Sequence, residues 1–234
     1  MDTLEFARGP LFIATLSFMV LGLLRHIILR TWGVVRTLKR TPHKNVPWGK
    51  VFKKSAEWIV PISHMKTAPL MKIASMVFHA GLLVVPLFLA EHAFLWARGI
   101  GISLPSMGHE LADQLTMVTI LTGFFLLSYR IFNKVSRELS SKSDYFLVIA
   151  VILPLLTGFL ACHPAWSPIS YQSMMLLHVL SAELTFVLLP TTKLAHVVLF
   201  PFDRISTDIY WRLVPGAGDQ VAQALRGTPE GAEV

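Results

Sequence analysis

Five long apolar runs constrain what this chain can fold into. They cover residues 10–30, 71–97, 111–130, 145–163 and 173–200, approximately, and turn-forming or polar stretches separate them. A bilayer core of about 30 Å needs roughly 20 mostly apolar residues for each helix that crosses it. Only 15% of the residues are charged and 53% are hydrophobic, whereas soluble domains carry about 25% charged residues. We therefore expect an all-α integral membrane protein with five transmembrane helices.

The basic residues are distributed unevenly enough to predict an orientation. Eleven Lys or Arg lie in residues 25–72, four in 130–142 and four in 193–234, which leaves Arg8 and Arg98 for the other face. Cytoplasmic loops of membrane proteins are enriched in Lys and Arg. The three basic regions are therefore expected in the cytoplasm, with the N-terminus outside and the C-terminus inside.

Composition also excludes several classes of protein. The net charge of +7 is carried between apolar runs, so it indicates membrane topology rather than nucleic-acid binding. The single cysteine, Cys162, excludes a disulfide framework, a CxxC zinc site and an iron–sulfur cluster held by this chain alone. Residues 1–202 are expected to form the five-helix domain. Residues 203–234 are expected to form a cytoplasmic tail without a core of its own.

Three histidines lie inside apolar runs: His79, His178 and His196. Intramembrane His is uncommon and usually faces the bundle interior, where it binds, pairs or relays protons. His178 and His196 are 18 residues apart, which is about five whole turns, so one continuous helix would carry both on one face. The helical rise would separate them by about 27 Å, close to the hydrocarbon thickness. This spacing favours two ligand sites stacked across the membrane over a proton relay.

A haem at each site would need an axial nitrogen from a second helix. In the second run, His79 matches the depth of His196. His92 lies about 20 Å further along the helix axis and matches the depth of His178. The 13 residues between them rotate by about 220°, which is not a whole number of turns unless Pro86 changes the rotation. His163, at the outer end of the fourth run, competes with His92 as the outer ligand.

The same residues carry a family resemblance. The segments "SMVFHAGLLVV" at 75–85 and "MMLLHVLSAELTFVLLPTTKLAHVVLFP" at 174–201 resemble the gamma subunit of respiratory nitrate reductase and its relatives. Those relatives include the cytochrome b subunits of heterodisulfide-reductase-like and dissimilatory sulfur-metabolism membrane complexes. The resemblance runs from residue 10 to about residue 202 and is most specific in the last helix. It implies two haems b between the second and fifth helices, which exchange electrons with a quinone pool.

Residue by residue, the resemblance assigns His79 and His196 to the cytoplasmic-side haem and His178 to the outer haem. The nitrate-reductase relatives place their second His ten positions after the first, where this chain has Leu89. The partner of His178 is therefore left open between His92 and His163. The stretch "TTKLAH" at 191–196 resembles the sulfur-complex relatives more than the nitrate-reductase subunit, which makes a nitrate-reducing partner the less expected one.

The resemblance implies an electron-transfer subunit in the cytoplasmic membrane of a prokaryote. It would link menaquinone or another quinone to a cytoplasmic iron–sulfur partner of the heterodisulfide-reductase type, and terminal reductase chemistry would belong to other subunits. Glu183, Glu91 and Asp113 are expected near a quinol and its protons. Lys193, three residues before His196, is expected either to pair with a haem propionate or to extend to the cytoplasmic interface.

Two other classes of function compete with this reading. A small His-using transporter would place His and acidic residues at mid-depth beside broken helices. A haem-free membrane anchor of an enzyme complex would use the histidines only for packing and hydrogen bonding.

Overall fold

The computed structural model of the chain describes residues 2–40, 48–59 and 68–213, together with positions 216, 220, 221, 223 and 224. These residues are almost entirely helical, and the β pairing among them is one isolated bridge between Leu89 and Met107. The helices in chain order are α1 (Thr3–Phe6), a π-helical turn (Ala7–Leu11), α2 (Phe12–Arg40), α3 (Trp48–Ile59), α4 (Pro69–Phe88), α5 (Ala90–Ile100), α6 (His109–Phe132), α7 (Lys134–Glu138), α8 (Lys142–Cys162), α9 (Tyr171–Thr191), a 3₁₀ turn (Lys193–Ala195) and α10 (His196–Leu213).

Five of the helical segments are long and apolar enough to cross a bilayer. They are Thr3–Lys39, Pro69–Phe88, His109–Phe132, Lys142–Cys162 and Tyr171–Thr191. Their lengths and composition confirm the prediction of an all-α, multi-pass membrane protein. The first segment is a single helical rod of 37 residues, α1 through α2, with Pro10 inside its π-helical turn.

The sequence predicted one helix across the second apolar run, and this prediction is wrong. Helix α4 ends at Phe88, and Leu89 has an extended backbone (φ −57°, ψ 134°) before α5 begins at Ala90. The N–H of Met107 donates to the carbonyl of Phe88 at 2.8 Å and so satisfies the broken end. His79 and His92 therefore lie on different helices, and the rotation of about 220° that a continuous helix would impose does not apply.

The fifth run is also interrupted, and the expectation of one helix across 173–200 is wrong. Helix α9 ends at Thr191, and Thr192 is extended (φ −130°, ψ −171°) before the 3₁₀ turn and α10. The Thr192 hydroxyl accepts a hydrogen bond from the N–H of Leu194 at 3.2 Å, which caps the new start. The common face predicted for His178 and His196 required an unbroken helix, which the chain does not form between them.

Residues 1–18 and 65–188 form one compact unit. In it, α4 packs against α6 and α6 packs against α8. The core of this unit is the buried cluster of Val85, Ile120 and Leu155, and Phe159 packs against that cluster. The start of α8 is fixed by a capping box in which Ser141 and Asp144 satisfy each other's backbone N–H groups.

Residues 19–64 and 189–234 form the second compact unit. In it, α3 packs against α10. Val51 of α3 and Ile209 of α10 are fully buried, at 0% and 2% exposure. Arg30 of α2 pairs with Asp203 of α10 at 3.3 Å. Helix α10 runs through residue 202, where the sequence placed the start of a tail, and most of the chain after residue 213 lies outside the described residues.

Gly81 sets the close approach of α4 to α6. A Cβ built at this position would overlap the Thr119 side chain, and Thr119 is itself 1% exposed. Small residues that let backbones approach closely are typical of helix pairs in membranes, where van der Waals packing provides much of the attraction.

We expect Gly81→Ala to lower the free energy of unfolding by about 1–3 kcal/mol, because the added methyl group must displace Thr119 in a packed interface. Unfolding in mixed detergent measures this change. Gly99→Ala is the matched control, since a Cβ on Gly99 meets no atom within 4 Å. Equal stability of the two variants would show that the α4–α6 contact is loose.

Candidate metal centre

Two imidazoles meet inside the first unit. His92 of α5 and His178 of α9 have ring centroids 6.1 Å apart, and their ring planes differ by only 2°. Both side chains are partly buried. The rings of His178 and His92 are therefore neighbours, on helices that the break at Leu89 allows to be oriented separately. Ligation by this pair, the first of the two sequence alternatives, stays a prediction.

His178 is held in one orientation by α8. Its Nδ1 lies 2.9 Å from the carbonyl oxygen of Pro154. Because a carbonyl oxygen accepts hydrogen bonds and cannot donate them, Nδ1 carries the hydrogen and Nε2 carries the lone pair. A donating Nδ1 with a lone pair on Nε2 is the usual arrangement of a metal-ligating His, since the hydrogen bond fixes both the tautomer and the ring orientation.

Gly158 provides the space that the His178 ring occupies. A Cβ built on Gly158 would lie 2.8 Å from Cε1 and 2.9 Å from Nδ1 of His178. Gly158 lies one turn after Pro154 on α8, so the same helix face supplies both the acceptor and the space for the ring.

Pro154 also shows how α8 and α9 are joined by polar groups. Proline has no backbone N–H, so the carbonyl of Ala150, four residues earlier, loses its usual helical donor. The hydroxyl of Thr185 on α9 donates to that carbonyl at 3.3 Å. About one turn away, the hydroxyls of Thr157 and Ser181 lie 3.4 Å apart. This agrees with the expectation that a proline inside a span is tolerated where a neighbouring side chain satisfies the freed carbonyl.

His92 faces a second proline carbonyl. The carbonyl of Pro86 is its nearby backbone acceptor, although buried Nδ1 of His92 makes no hydrogen bond of ordinary geometry within the described residues. Trp96 of α5 donates its Nε1 hydrogen to the same carbonyl at 3.4 Å. Pro86 therefore lies near His92, but without a hydrogen bond like the one that joins His178 to Pro154.

The spacing of the two rings fits ligation of one ion between them. Two imidazole nitrogens that each lie about 2 Å from an ion place their ring centroids about 6 Å apart, and the observed separation is 6.1 Å. No group of three or more His, Cys, Asp or Glu side chains that would hold a metal ion occurs in the part of the chain that the structure describes. A haem iron needs just two protein ligands, because its macrocycle provides the other four. The His92–His178 pair has the chemistry and the spacing for that role.

A purely structural role explains this pair poorly. A hydrogen bond between helices in a membrane contributes about 0.6 kcal/mol on average. An imidazole placed in an apolar span also loses its hydration, and the buried Nδ1 of His92 is not compensated by a hydrogen bond of ordinary geometry in the described residues. Two apolar side chains would pack here at lower cost, so ligand binding accounts for the histidines better than stability does.

The predicted inner ligands, His79 and His196, lie in different compact units, and each is described in its own unit. Nδ1 of His79 lies 2.7 Å from the carbonyl of Ser75. Nδ1 of His196 lies 2.8 Å from the carbonyl of Lys193. In both residues Nδ1 therefore carries the hydrogen, as it does in His178. Their pairing around a second haem stays a prediction.

His163, the alternative outer ligand, has both ring nitrogens engaged. Its Nδ1 lies 2.9 Å from the carbonyl of Phe159, and its Nε2 lies 3.3 Å from Oδ2 of Asp113. Glu91 is paired with His109 at 3.2 Å. His163 would have to leave Asp113 to ligate a metal, which favours His92 as the partner of His178.

Glu183 and Lys193 have contrasting surroundings. Glu183 is 3% exposed, and neither of its carboxyl oxygens has a hydrogen-bond partner in the described part of the chain. Lys193 is exposed on the 3₁₀ turn that precedes His196. The predicted role of Glu183 near a quinol and that of Lys193 beside a propionate are not tested by these contacts.

Sequence reasoning missed two residues around this site and one contact in the second unit. Gly158 and the Pro154 carbonyl position His178. His26 of α2 binds the carbonyl of Pro190 through Nε2 at 2.8 Å in the second unit. Pro154 and Gly158 were visible in the sequence, but their contact with His178 on another helix was not.

The comparisons with known proteins find one relative. A protein of Nitratidesulfovibrio vulgaris (strain Hildenborough), described simply as "Protein", is 32% identical over 205 residues, which are 85% of this chain and 89% of the relative. The chain belongs to the same family as that protein. No family model matches the chain, and no solved structure does.

We expect Gly158→Ala to displace the His178 ring, because the new methyl group would lie within 3 Å of two ring atoms. The displacement should lower the thermal unfolding midpoint, with a cost of about 1–3 kcal/mol. It should also leave the packing of α4 on α6 intact. A variant as stable as Gly99→Ala, measured in the same detergent, would mean that the ring is not confined by α8.

Proposed function

We propose that this chain is the membrane cytochrome b subunit of a respiratory redox complex, with b-type haem as its cofactor. The observation that carries the proposal is the His92–His178 pair, whose ring separation of 6.1 Å and parallel planes suit axial ligation of one iron. His79 and His196 are proposed as the ligands of a second haem. A haem held in this way supplies one-electron transfer. The protein's part is to fix the imidazoles, exclude water and tune the potential.

The residues around His178 are suited to that task. The Pro154 carbonyl keeps Nε2 in the ligating tautomer. The Gly158 backbone lies against the ring, so α8 prevents the imidazole from turning away. The partner ligand, His92, is on the short helix α5, and the extended backbone of Leu89 allows α5 to take a direction different from that of α4.

The physiological donor is proposed to be the quinol form of menaquinone or of another quinone. The acceptor is proposed to be a cytoplasmic iron–sulfur subunit of the heterodisulfide-reductase type. The resemblance to sulfur-metabolism cytochromes b supports both assignments. Because Cys162 is the single cysteine of this chain, a cluster would have to be held by the partner. The location is proposed to be the cytoplasmic membrane of a prokaryote, with the N-terminus outside.

The transporter alternative has one observation in its favour, the helix interruptions at Leu89 and Thr192. In transporters such breaks lie near the bilayer midplane, where they form the substrate site. Here they follow helices of 20 and 21 residues, each of which is about 30 Å long and completes a crossing before the break. The breaks therefore lie at the ends of spans, and the cytochrome assignment is the better supported one.

A dithionite-reduced minus oxidised spectrum of the purified protein is expected to show a b-type signal of bis-His haem, with two haems per chain in the pyridine haemochrome assay. His92→Ala and His178→Ala should each lose one haem and keep the other, because each removes one axial ligand of the same iron. His109→Gln is the matched control, since His109 is exposed and paired with Glu91, and it should keep both haems.

The outcomes of this spectrum separate the competing readings. Absence of any b-type signal in the wild-type protein would overturn the cytochrome assignment. If His163→Ala loses a haem and His92→Ala keeps both, His163 and not His92 is the outer ligand.

The proposed orientation is expected to be visible through Cys162, the single cysteine, which lies exposed at the end of α8. A membrane-impermeant maleimide added to intact cells should label it, because an N-out topology places this helix end outside. Cys162→Ser provides the unlabelled control. Labelling that requires permeabilised cells would reverse the orientation.

A further inference from the structure

Helix α3 (Trp48–Ile59) presents three different surfaces around its axis. Consecutive residues of an α-helix point in directions about 100° apart. Of three consecutive residues in α3, Val51 is fully buried, Phe52 is exposed and Lys53 is exposed. In the second unit α3 packs against α10, which accounts for the buried side. The aromatic side and the cationic side remain on the surface of that unit.

The aromatic side is formed by two rings one turn apart. The ring centroids of Trp48 and Phe52 are 6.0 Å apart, at an interplanar angle of 31°, and the two residues are 42% and 56% exposed. Tryptophan is enriched where membranes meet water, because its ring is apolar and its N–H donates a hydrogen bond. The pair is therefore suited to the boundary between lipid headgroups and acyl chains.

The cationic side carries the excess charge of the helix. The sequence of α3 contains three lysines and one glutamate. Lys50, Lys53 and Glu57 are all exposed. A lysine extends its apolar stem along an apolar surface and keeps its ammonium group in the polar layer above it. Near an anionic lipid surface each lysine strengthens binding by about fivefold, so the charge of α3 is complementary to such a surface.

Helix α3 is too short to cross a bilayer. Its 12 residues extend about 18 Å along the helix axis, whereas the hydrocarbon layer is about 30 Å thick. Helices that are aromatic on one side and rich in lysine on another lie in the plane of the interface, with the apolar side about 5–10 Å into the boundary between headgroups and acyl chains. The residue pattern of α3 is typical of that class.

The contacts of α10 indicate where α3 lies relative to the lipid. Asp203 of α10 pairs with Arg30 at 3.3 Å, and the apolar run 10–30 ends at Arg30. Because a charged pair is costly in hydrocarbon, we expect this one at the level of the headgroups. The chain also enters α10 only a few residues after the candidate span Tyr171–Thr191 ends. Helix α3, which packs on α10, is therefore expected at the same level.

We propose that α3 binds an anionic phospholipid surface and lies in the plane of the membrane interface. Trp48 and Phe52 enter the boundary between headgroups and acyl chains, and Lys50 and Lys53 bind the phosphate groups of lipids such as phosphatidylglycerol. Because the buried side of α3 packs on α10, lipid bound at this surface stabilises the contact between the two helices. This lipid site is independent of the haem ligands proposed above.

A soluble acidic partner would match the lysines, but it explains the aromatic side less well. Rings that wait in water for a partner expose apolar surface at a cost in free energy. Rings at the level of the headgroups are covered by lipid at all times. The bilayer that surrounds the spans supplies this cover without a further component.

The depths of the two exposed sides test this proposal in the full chain. In a Cys162→Ser background, a fluorescent bimane is attached through Ala56→Cys, on the side of Phe52, or through Glu57→Cys, on the cationic side. Both positions are exposed. The protein is placed in nanodiscs of equal parts phosphatidylcholine and phosphatidylglycerol that contain a doxyl-labelled lipid as quencher. Quenching should be about twofold or more stronger for the first label, because only the aromatic side enters the lipid.

The charge dependence is tested with the label at Ala56→Cys. Replacing phosphatidylglycerol by phosphatidylcholine should weaken its quenching. Lys50→Gln/Lys53→Gln should lose most of the difference between the two lipid compositions, because these side chains no longer attract anionic headgroups. The matched control is Lys134→Gln/Lys142→Gln, which removes the same charge from exposed lysines of α7 and α8 and should keep the difference.

Each outcome decides the proposal. Equal quenching of the two labels contradicts it, and so does the absence of quenching, which is the result expected if α3 faces water and binds a soluble partner. Quenching that is the same in both lipid compositions contradicts the anionic surface. Should Lys50→Gln/Lys53→Gln fail to accumulate as folded protein, each single substitution is judged by the same criterion.

Discussion

Two backbone carbonyls of α8, that of Ala150, which loses its helical donor to Pro154, and that of Pro154 itself, connect α8 to α9. Inside a bilayer no water is available to pair with them, so another part of the chain must do so. The carbonyl of Ala150, freed by Pro154, accepts from Thr185, and the carbonyl of Pro154 itself accepts from His178. The same interactions that join α8 to α9 thereby orient an imidazole. The candidate centre depends on this coupling of backbone satisfaction to ligand geometry.

The sequence predicted the five crossings well, because a stretch of about 20 apolar residues has few alternatives in a protein of this composition. It did not predict the breaks at Leu89 and Thr192. Neither residue is a proline or a glycine; apolar residues continue through Leu89, and they resume at Leu194 after the short polar stretch Thr191–Lys193, so the apolar runs alone favour unbroken helices. The breaks depend on tertiary contacts, such as the hydrogen bond from Met107 to Phe88.

The sequence could identify the histidines of the candidate site, but it could not predict how their rings are arranged. The sequence predicted that His92 and His178 lie at the same depth on antiparallel helices. The rotation of about 220° between His79 and His92 on a continuous helix argued against His92 as a ligand. The separate helix α5 removes that objection, and the rings lie parallel at 6.1 Å. What no single sequence could supply is the surrounding support from Gly158 and the Pro154 carbonyl, because these residues are distant in the chain from the imidazole that they position.

The first helical segment is longer than one crossing of a bilayer requires. A rod of 37 residues is about 55 Å long at the helical rise, whereas the hydrocarbon layer accounts for about 30 Å. Even a strongly tilted rod of this size emerges from the lipid by several turns. Arg30, in the C-terminal half of this segment, pairs with Asp203 of α10, so the helix is long enough both to cross a bilayer and to make contacts within the second unit.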